Sequence, residues 1–366
     1  MNTRRDFLSS GAALAAPAFL SAQSPNDAVR VAVIGVGNRG AYLLRHVLNV
    51  PKVQIVALCD LDGQRLAAAS KAAAAKGHNP AAYTDFRKML DERKDIDAVL
   101  IATPVDTHKM IAIAALEVGK HVYCEKPMAV QPADARMMVM AANNAKGIFQ
   151  AGFQLRHDPN RAAAMKYLHS GALGKVLYAH GMRHTGDLPR ETAWYFDRVR
   201  SGDNIVEQAC HILDLFVWAI GKPPLRAFGS GGINLYKGEP AGRTTMDNYS
   251  VIYEFPDNVR MNFSHIYFDP AGFSGIKERV WGEKGAVDLA AATWSALNQK
   301  GENKIPVENE GKDSTYLSLE AFVDNARAKR KPLNHAESAQ LSTLVAMMGR
   351  KSIYEKRVVT WEEMNA

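Results

Sequence analysis

The sequence predicts an α/β protein with two parts: an N-terminal doubly wound parallel sheet, and a C-terminal α+β domain with an open, mainly antiparallel sheet. In the first part, short apolar runs alternate with helical patterns, which is typical of a parallel sheet covered by helices on both faces. In the second part, longer runs of partly alternating polarity follow one another with turns between them, which favours antiparallel strands. A chain of 366 residues has room for both domains.

The first domain is predicted at residues 25–151. Its apolar, β-branched runs predict buried strands at 31–34, 53–58, 97–102, 121–124 and 148–150. Helical patterns lie between these runs, at 41–48, 63–76, 85–90, 109–118 and 132–145. Because ligands bind doubly wound sheets at the carboxyl ends of the strands, we expect the residues that follow these strands to meet at one edge.

The second domain is predicted at residues 152–335, and a final segment at 336–366. The predicted strands of the second domain are 175–184, 231–235, 247–255, 259–267 and 277–281, whereas residues 290–315 carry no clear motif. Two helices are predicted, an almost entirely apolar one at 204–220 and another at 338–354. The apolar helix is expected to be buried.

A glycine motif follows the first strand and opens the first helix. Gly35, Gly37 and Gly40 have the spacing G-x-G-x-x-G, and Asp60 ends the second strand. The glycines permit a tight turn, close approach of a pyrophosphate and close packing of the helix, while the acidic residue accepts hydrogen bonds from a ribose. A carboxylate there would repel a 2′-phosphate, so the motif predicts a Rossmann domain that binds NAD rather than NADP.

The first 24 residues are predicted to be an export signal rather than part of the fold. Residues 3–8, TRRDFL, resemble the twin-arginine signal, and the weakly apolar stretch at 8–20 is too short to span a bilayer. Small residues then lead to a cleavage region. This pattern predicts a periplasmic or secreted protein without a membrane anchor, exported after folding.

Composition narrows the function classes. The formal charge of +7 is spread along the chain without a run of basic residues, so nucleic-acid binding is not expected. The three cysteines lie inside apolar runs, which indicates buried thiols rather than a disulfide framework.

A specific resemblance is carried by the third and fourth long strands. The third ends in Ala-Thr103-Pro104, followed by Thr107 and His108, and the fourth runs into Glu125-Lys126-Pro127. With the glycine motif, these residues resemble the Gfo/Idh/MocA oxidoreductases over nearly the whole chain after the signal. The resemblance implies an NAD-binding domain, a second sheet that is often used for oligomer contacts, and a C-terminal helix that packs back on the first domain.

The resemblance places Lys126 near the nicotinamide and the substrate hydroxyl, as a catalytic residue; an ordinary solvated surface lysine is the alternative. The peptide bond before Pro127 could be cis. The residues expected to contact the cofactor are Gly35, Gly37, Asn38, Arg39, Gly40, Asp60, Thr103, Pro104, His108, Glu125, Lys126 and Gln154.

The predicted helix at 204–220 carries three ionisable residues on one face, Glu207, His211 and Asp214. Such a row on a buried helix is costly unless its members pair or open onto a site. His211 matches the catalytic histidine of the family, while Glu207 stands where the family often has Asp. We expect Glu207 to orient the imidazole or to touch the substrate, and Asp214 to hold the other ring nitrogen. A satisfied, non-catalytic His–carboxylate pair is the alternative.

Further residues are candidates for contact with the substrate. Arg156 either faces the cleft or binds a carboxylate or a helix end. The aromatic loop before the apolar helix either stacks on a sugar face and binds hydroxyls or forms a packed lid. The full set of predicted substrate contacts is Arg156, His180, Trp194, Tyr195, Asp197, Arg198 and His211. A metal site formed by His180, His184, Glu207 and His211 is a weaker alternative, since no established ligand spacing supports it, and we predict no metal.

Three functions are compatible with these residues. The first is an NAD-dependent oxidoreductase that acts on a CH–OH group of a sugar or polyol, with His211 or Lys126 accepting the proton. The second is a lyase, epimerase or glycosidase that uses tightly bound NAD to oxidise a sugar carbon transiently. The third is a carbohydrate-binding protein that holds NAD without catalysis. A small carbohydrate is the expected partner, and a homo-oligomer through the C-terminal sheet is expected from the resemblance.

Overall fold

The computed structural model describes residues 28–188, 193–273 and 275–365. The predicted export signal therefore lies outside the described residues. The N-terminal part contains, in chain order, β1 (Val29–Ile34), α1 (Asn38–Val47), β2 (Val53–Cys59), α2 (Gly63–Ala74), β3 (Ala81–Tyr83), α3 (Phe86–Glu92), β4 (Ala98–Ile101), α4 (His108–Glu117), β5 (His121–Cys124), α5 (Pro132–Asn144) and β6 (Phe149–Ala151).

The remaining elements form the second domain and the C-terminal helices. They are α6 (Pro159–His169), β7 (Val176–His184), α7 (Arg198–Ser201), α8 (Asn204–Glu207), α9 (Cys210–Ile220), β8 (Arg226–Gly232), β9 (Asn248–Glu254), β10 (Arg260–Ile266), β11 (Gly275–Gly282), β12 (Gly285–Asp288), β13 (Thr293–Ala296), β14 (Asn303–Lys304), α10 (Ser314–Ala328), α11 (Ala336–Glu355), β15 (Val359–Thr360) and α12 (Trp361–Asn365).

The first sheet is parallel and has the strand order β3-β2-β1-β4-β5-β6. This is the Rossmann order, and it confirms the predicted doubly wound sheet. Strand β4 is buried at every position because helices cover both faces of the sheet, which explains its continuous apolar sequence. Strand β3 was not predicted, because its three residues are too short to produce a recognisable pattern.

In the described ranges, the second sheet consists of nine strands in the order β14-β13-β12-β11-β7-β10-β9-β8-β15. Its pairs are antiparallel except for β7 with β10, so the predicted open, mainly antiparallel sheet is also confirmed. Strands β13 and β14 lie in the segment where no motif was recognised. They are short and partly exposed at one edge of the sheet, and so lack the alternation of a half-buried strand.

The two faces of the second sheet have different surroundings. Helix α9 covers one face, where a Cβ atom added to Gly181 of β7 would lie only 2.5 Å from the Phe216 ring. The opposite face exposes Tyr178, Phe228 and Ile252 to 37%, 49% and 49%. Alternate residues of a strand point to opposite faces, so the strand residues that share the face of Gly181 are the ones whose side chains can reach α9.

Helices α10 and α11 connect the two sheets. Helix α10, within the range predicted for the second domain, packs on the Rossmann sheet, where Phe322 contacts the ring of Tyr123 edge-on at 5.6 Å. Helix α11 packs against α5 and β6 on one side and against α8, α9 and β8 on the other. Its Arg350 donates a hydrogen bond to the carbonyl of Val130 at 2.9 Å. The C-terminal helix therefore contacts both domains.

The three cysteines are free and buried, in keeping with their apolar sequence context. None of the helices in the described ranges combines the length and the apolar character that crossing a bilayer requires.

Candidate active site

The glycine turn lies between β1 and α1 at the carboxyl edge of the first sheet. Gly35 has φ +83°, a conformation that side chains rarely adopt, and a Cβ atom on Gly40 would lie 1.8 Å from the Gly35 carbonyl oxygen. Among the residues that the structure describes, no side chain caps the N-terminus of α1, and its first turn contains no acidic residue. Exposed Asn38 begins the helix. The backbone N–H groups are therefore available to a pyrophosphate, which fits the expected NAD site.

Asp60 follows β2 and lies beside the glycine turn. Its Oδ2 atom accepts a hydrogen bond from the Val36 N–H at 2.7 Å, and its Oδ1 atom accepts one from the Asp62 N–H at 2.9 Å. These bonds fix a carboxylate whose remaining lone pairs can accept ribose hydroxyls. The guanidinium of Arg65, which the sequence analysis did not select, is 3.0 Å from where a Cβ atom on Gly37 would lie. It is placed to interact with a dinucleotide phosphate.

Arg39 and Glu125 form an ion pair between the glycine turn and the end of β5. The Arg39 Nε atom is 2.7 Å from Glu125 Oε1, and the Glu125 side chain is almost fully buried. Gly152 leaves room for this carboxylate, because a Cβ atom there would lie 2.8 Å from it. Glu125 is therefore held by Arg39 and lies behind the site rather than open to the cofactor.

His108 connects the ends of β4 and β5. Its Nδ1 atom lies 2.9 Å from the Pro127 carbonyl and its Nε2 atom 2.9 Å from the Thr103 carbonyl. Burial lowers the pKa of His108, although both carbonyls oppose this effect. The ring is 1% exposed and both of its nitrogens face backbone carbonyls, so His108 positions the Thr103-Pro104 turn and does not make the predicted contact with the cofactor. The Lys126–Pro127 peptide bond is cis, as the sequence suggested.

Lys126 and Glu207 form an ion pair that joins the two domains. The Lys126 Nζ atom donates to Glu207 Oε1 at 2.9 Å and to the Glu207 carbonyl at 2.5 Å, and the side chains are 11% and 14% exposed. Burial alone would lower the pKa of Lys126, but the charge of Glu207, with Cys210 and Glu125, raises it above its ordinary value. Lys126 is therefore a fixed ammonium group, not a solvated surface lysine.

The predicted helix at 204–220 is interrupted at the point where Lys126 binds. Helix α8 ends at Glu207 and α9 begins at Cys210, so residues 208 and 209 form a turn. The N–H of His211 bonds to the Gln208 carbonyl at 3.4 Å, and the Glu207 carbonyl is left to accept from Lys126. A continuous helix would have used that carbonyl internally. The break therefore explains why Glu207 faces Lys126 and does not bond to His211.

His211 lies in the first turn of α9, edge-on to the Phe153 ring at 6.2 Å. Its Nδ1 atom is buried without a hydrogen-bond partner among the described residues, as is Oε1 of Gln154, the neighbour of Phe153. Burial, then the charges of Lys126 and Arg39, lower the pKa of His211 well below its ordinary value. The imidazole is therefore neutral near pH 7 and able to accept a proton.

Asp214 does not hold His211, contrary to our expectation. Its two oxygens accept hydrogen bonds from Nε and Nη2 of Arg156 at 2.9 and 2.6 Å, and Ser342 adds a third bond at 2.6 Å. A buried guanidinium needs a full negative charge, and a bidentate pair supplies it better than one imidazole contact could. Arg156 is 5% exposed and is therefore a structural residue rather than a substrate contact.

His180 does not reach the site either. It alternates along β7 with Gly181 and Arg183, and Gly181 faces α9, so His180 points to the opposite face of the sheet. His184 lies on that same face, where its Nε2 atom is 3.0 Å from the hydroxyl of Ser264. The proposed metal set with Glu207 and His211 is thus split across the sheet. No group of potential metal ligands is found in the described parts of the chain.

The aromatic loop is a packed lid more than a sugar platform. Tyr195 is 4% exposed, and its hydroxyl is 3.2 Å from that of Tyr267, while the partly exposed Trp194 packs edge-on to Tyr195. Asp197 caps α7 by accepting from the Val199 N–H at 2.9 Å. The exposed Arg198 lies 4.4 Å over the ring of Tyr354 in α11. Asp197 and Arg198 therefore have structural partners instead of the predicted substrate contacts.

Besides Arg65, the site contains two residues that the sequence patterns did not reveal, Gln208 and Arg183. Gln208 occupies the turn between α8 and α9, and its Oε1 atom accepts hydrogen bonds from the Tyr267 hydroxyl at 3.1 Å and from Arg183 Nε at 3.3 Å. Arg183 lies on the α9 side of β7. Gln208 could have been predicted as a site residue from the break between α8 and α9. The nearly continuous apolar pattern of residues 204–220 gave no sign of that break.

Comparisons with known proteins match both domains. Residues 29–153 match the model of the oxidoreductase family with an NAD-binding Rossmann fold, and residues 161–288 match the GFO/IDH/MocA C-terminal domain. Myo-inositol 2-dehydrogenase of Thermotoga maritima is 25% identical over 343 residues, covering 92% of this chain and 99% of the relative.

Two further comparisons concern enzymes with other substrates. A 2,7-anhydro-N-acetylneuraminate hydratase of Mediterraneibacter gnavus is 32% identical over 232 residues, which cover 63% of this chain and 59% of that protein. The solved structure of levoglucosan dehydrogenase with NADH and levoglucosan has a TM-score of 0.78 and 20% identity, covering 91% of this chain and 99% of that one.

Proposed function

The chain belongs to the Gfo/Idh/MocA oxidoreductases, and from this we propose that it oxidises a CH–OH group of a sugar or polyol with NAD. The observation that carries the proposal is the buried Lys126–Glu207 pair beside a neutral His211, at the edge of the sheet where the glycine turn ends. Similar proteins are named as dehydrogenases of myo-inositol and of levoglucosan, which supports a polyhydroxylated substrate here.

The reaction removes a hydride and a proton from the CH–OH group. NAD⁺, when bound, accepts the hydride at its nicotinamide ring. A ring nitrogen of His211 accepts the hydroxyl proton, because the lowered pKa keeps the imidazole neutral. Lys126 gives two N–H groups to Glu207, so one remains to bind the substrate oxygen and stabilise its developing negative charge.

Lys126 is a poorer candidate than His211 for the proton acceptor. Its pKa is raised by the charge of Glu207 although burial opposes this, so the lysine stays protonated through the neutral range. An ammonium group without a free electron pair cannot accept a proton. The roles divide accordingly: His211 is the base, Lys126 supplies positive charge, and Glu207 keeps Lys126 charged and in place.

The proposal is tested with purified mature protein, a panel of sugars and polyols, and added NAD⁺ or NADP⁺. We expect at least one compound to produce the reduced-nicotinamide absorbance with NAD⁺ and more slowly with NADP⁺, because Asp60 opposes a 2′-phosphate. Lys126→Met and His211→Asn should each reduce kcat/KM by at least about 100-fold. Lys109→Met is the matched control, because Lys109 forms an ion pair between α4 and α5 through Asp134. Absence of turnover by the wild type with every compound would instead favour a carbohydrate-binding protein that holds NAD without catalysis, and equal turnover by all variants would contradict the roles assigned to Lys126 and His211.

A redox-neutral reaction is a second candidate. It is favoured by the similarity to a hydratase, because a hydratase adds water without net oxidation of its substrate. The predicted export signal also favours it, since free NAD is scarce outside the cytoplasm. In this version NAD is tightly bound and recycled within one turnover. Denaturing the purified protein and identifying the released nucleotide distinguishes the cases: stoichiometric NAD supports the redox-neutral version, whereas an empty, active protein supports the dehydrogenase.

We further propose export through the twin-arginine pathway, with cleavage after the small residues of the N-terminal 24 residues. Fractionation of expressing cells should place the shortened protein in the periplasm or the medium. Arg4→Lys combined with Arg5→Lys should retain the unprocessed protein in the cytoplasm. Processing of that variant at the normal rate would contradict the proposal.

The exposed face of the second sheet is the proposed oligomer contact. Phe228 and Ile252 are register neighbours on β8 and β9, and both are half exposed. Apolar side chains grouped on one face of an open sheet favour burial against a second copy. Light scattering should report an oligomer for the wild type and a smaller species for Ile252→Glu. A monomeric wild type would contradict this assignment.

A further inference from the structure

Arg183 is a positively charged side chain on the same side of the second sheet as helix α9, which carries His211. It lies two residues after Gly181 on β7 and thus shares the face on which Gly181 packs against Phe216 of α9. Its Nε atom reaches Gln208, the residue that follows Glu207 in the chain. Arg183 is therefore directed toward the segment that carries Glu207 and His211.

Four positive side chains contribute most to the lowered pKa of His211, and three of them are paired with carboxylates. Lys126, Arg39, Arg183 and Arg161 all lower the pKa of His211, after the larger effect of burial. Three are paired with carboxylates at 2.7–2.9 Å, namely Lys126 with Glu207, Arg39 with Glu125 and Arg161 with Glu278. In the described part of the chain, no carboxylate pairs with Arg183. Among these four side chains, Arg183 is therefore the one whose charge no described carboxylate compensates.

Within the described residues, Arg183 donates a hydrogen bond from Nε and none from its two Nη atoms. Nε is bonded to Gln208 Oε1 at 3.3 Å, and that oxygen also accepts from the Tyr267 hydroxyl, whose neighbour is Tyr195 at 3.2 Å. Gln208 thus fixes the guanidinium from one side. The two Nη groups form a fork that matches the two oxygens of a carboxylate, and a single free positive charge matches a monoanion.

We propose that Arg183 binds the carboxylate of an acidic sugar, such as a uronic or aldonic acid, while Lys126 and His211 act on one of its hydroxyl groups. This inference rests on the proposed function and narrows its substrate class. Gln208 is the positioning residue, because it links Arg183 to the turn that bears Glu207. The substrate is then oriented at two ends, by its carboxylate and by its reacting hydroxyl.

The test compares acids with their neutral amides on the NADH-loaded mature protein. Calorimetric titrations with D-glucuronate and D-glucuronamide, and with D-galacturonate and its amide, measure the carboxylate contribution directly. We expect at least one acid to bind about 10- to 100-fold more tightly than its amide, the range for hydrogen bonds to a charged group. Arg183→Gln should abolish that ratio without weakening NADH or amide binding. Arg183→Lys should retain part of it, since the charge remains but the fork is lost.

Lys277→Gln is the matched control. Lys277 is exposed on β11 and pairs in register with Met182, so it lies on the opposite face of the same sheet. The substitution Lys277→Gln removes the same net charge as Arg183→Gln and should leave the ratio of acid to amide affinity unchanged. Equal binding of acid and amide by the wild type, or a ratio that survives in Arg183→Gln, would overturn the inference.

The inference and the proposed function fail in different ways. A protein that reduces NAD⁺ with neutral polyols and shows no preference for acids retains the proposed function but contradicts the role of Arg183. A protein that binds acids through Arg183, yet reduces NAD⁺ with none of the sugars, contradicts the dehydrogenase while supporting the anion subsite.

Discussion

The change Glu207→Gln tests the ion pair on which the proposed chemistry depends. It replaces the carboxylate with an amide of nearly the same shape, so the Nζ atom of Lys126 keeps its contact with the Glu207 backbone carbonyl. Both side chains are more than four-fifths buried, so solvent screens their attraction only weakly. The variant therefore isolates the negative charge from the hydrogen-bonding geometry.

The expected loss follows from the one charged contact that is removed. Hydrogen bonds between charged groups contribute about 1.5–3 kcal/mol, and the amide oxygen can still accept one neutral bond. We expect about 1.5–2 kcal/mol of lost transition-state stabilisation, which is about 10- to 30-fold in kcat/KM. The pKa of Lys126 should also fall, because without the Glu207 charge the effect of burial, which lowers the pKa, outweighs the effects of Cys210 and Glu125, which raise it.

The assay is a pH–rate profile of sugar oxidation, followed by the absorbance of reduced nicotinamide. In the wild type the raised pKa keeps Lys126 charged, so no loss from its deprotonation is expected below its ordinary value of 10.5. In Glu207→Gln an alkaline decline should move to lower pH. Glu117→Gln removes an exposed carboxylate from the end of α4 and serves as the control. An unchanged rate and an unchanged alkaline limb would refute the assigned role of the pair.

Three further predictions concern other parts of the structure. Because the pKa of His211 is lowered, kcat/KM should remain constant from pH 8 to below the ordinary histidine value of 6.5 and decline only when His211 protonates; an acid limb centred at 6.5 would contradict this. Asp214→Asn leaves Arg156 buried without a counter-charge and should lower the free energy of unfolding by about 3–5 kcal/mol in thermal denaturation, whereas Asp257→Asn, in an exposed ion pair, should leave the unfolding transition nearly unchanged. Gly40→Ala places a Cβ atom 1.8 Å from a carbonyl of the glycine turn, so titration should detect strongly weakened NADH binding; normal affinity would rule out this turn as the cofactor site.

Most of the first domain could be predicted from the sequence because each signal is local. The apolar runs of the parallel strands and the glycines of the first turn depend on a few adjacent residues, and the resemblance added Lys126. The edge strands β13 and β14 were not predictable in this way. They are short and partly exposed, so their sequences carry little hydrophobic alternation.

The pairing of charged side chains was harder to predict because it depends on partners far away in the chain. The spacing of Glu207, His211 and Asp214 suggested one continuous helical face, whereas Lys126 and Arg156 each captured one of the carboxylates from another element. His180 and Arg183 illustrate the same limit in a strand. Their relative parity was readable, but only the packing of Gly181 on α9 determined which of them faces the site.

Helix α11 has a consequence for any attempt to divide the chain. It packs against α5 and β6 of the first domain on one side and against α9 and β8 of the second domain on the other, so both domains bury apolar surface against this one helix. Residues 28–153 alone would also lack α10, whose Phe322 covers Tyr123. A recombinant nucleotide-binding fragment cut at the apparent domain boundary would thus expose apolar surface on both new pieces. Exchange of the substrate domain between relatives would need to transfer or rebuild α11 as well, because this helix contacts both domains.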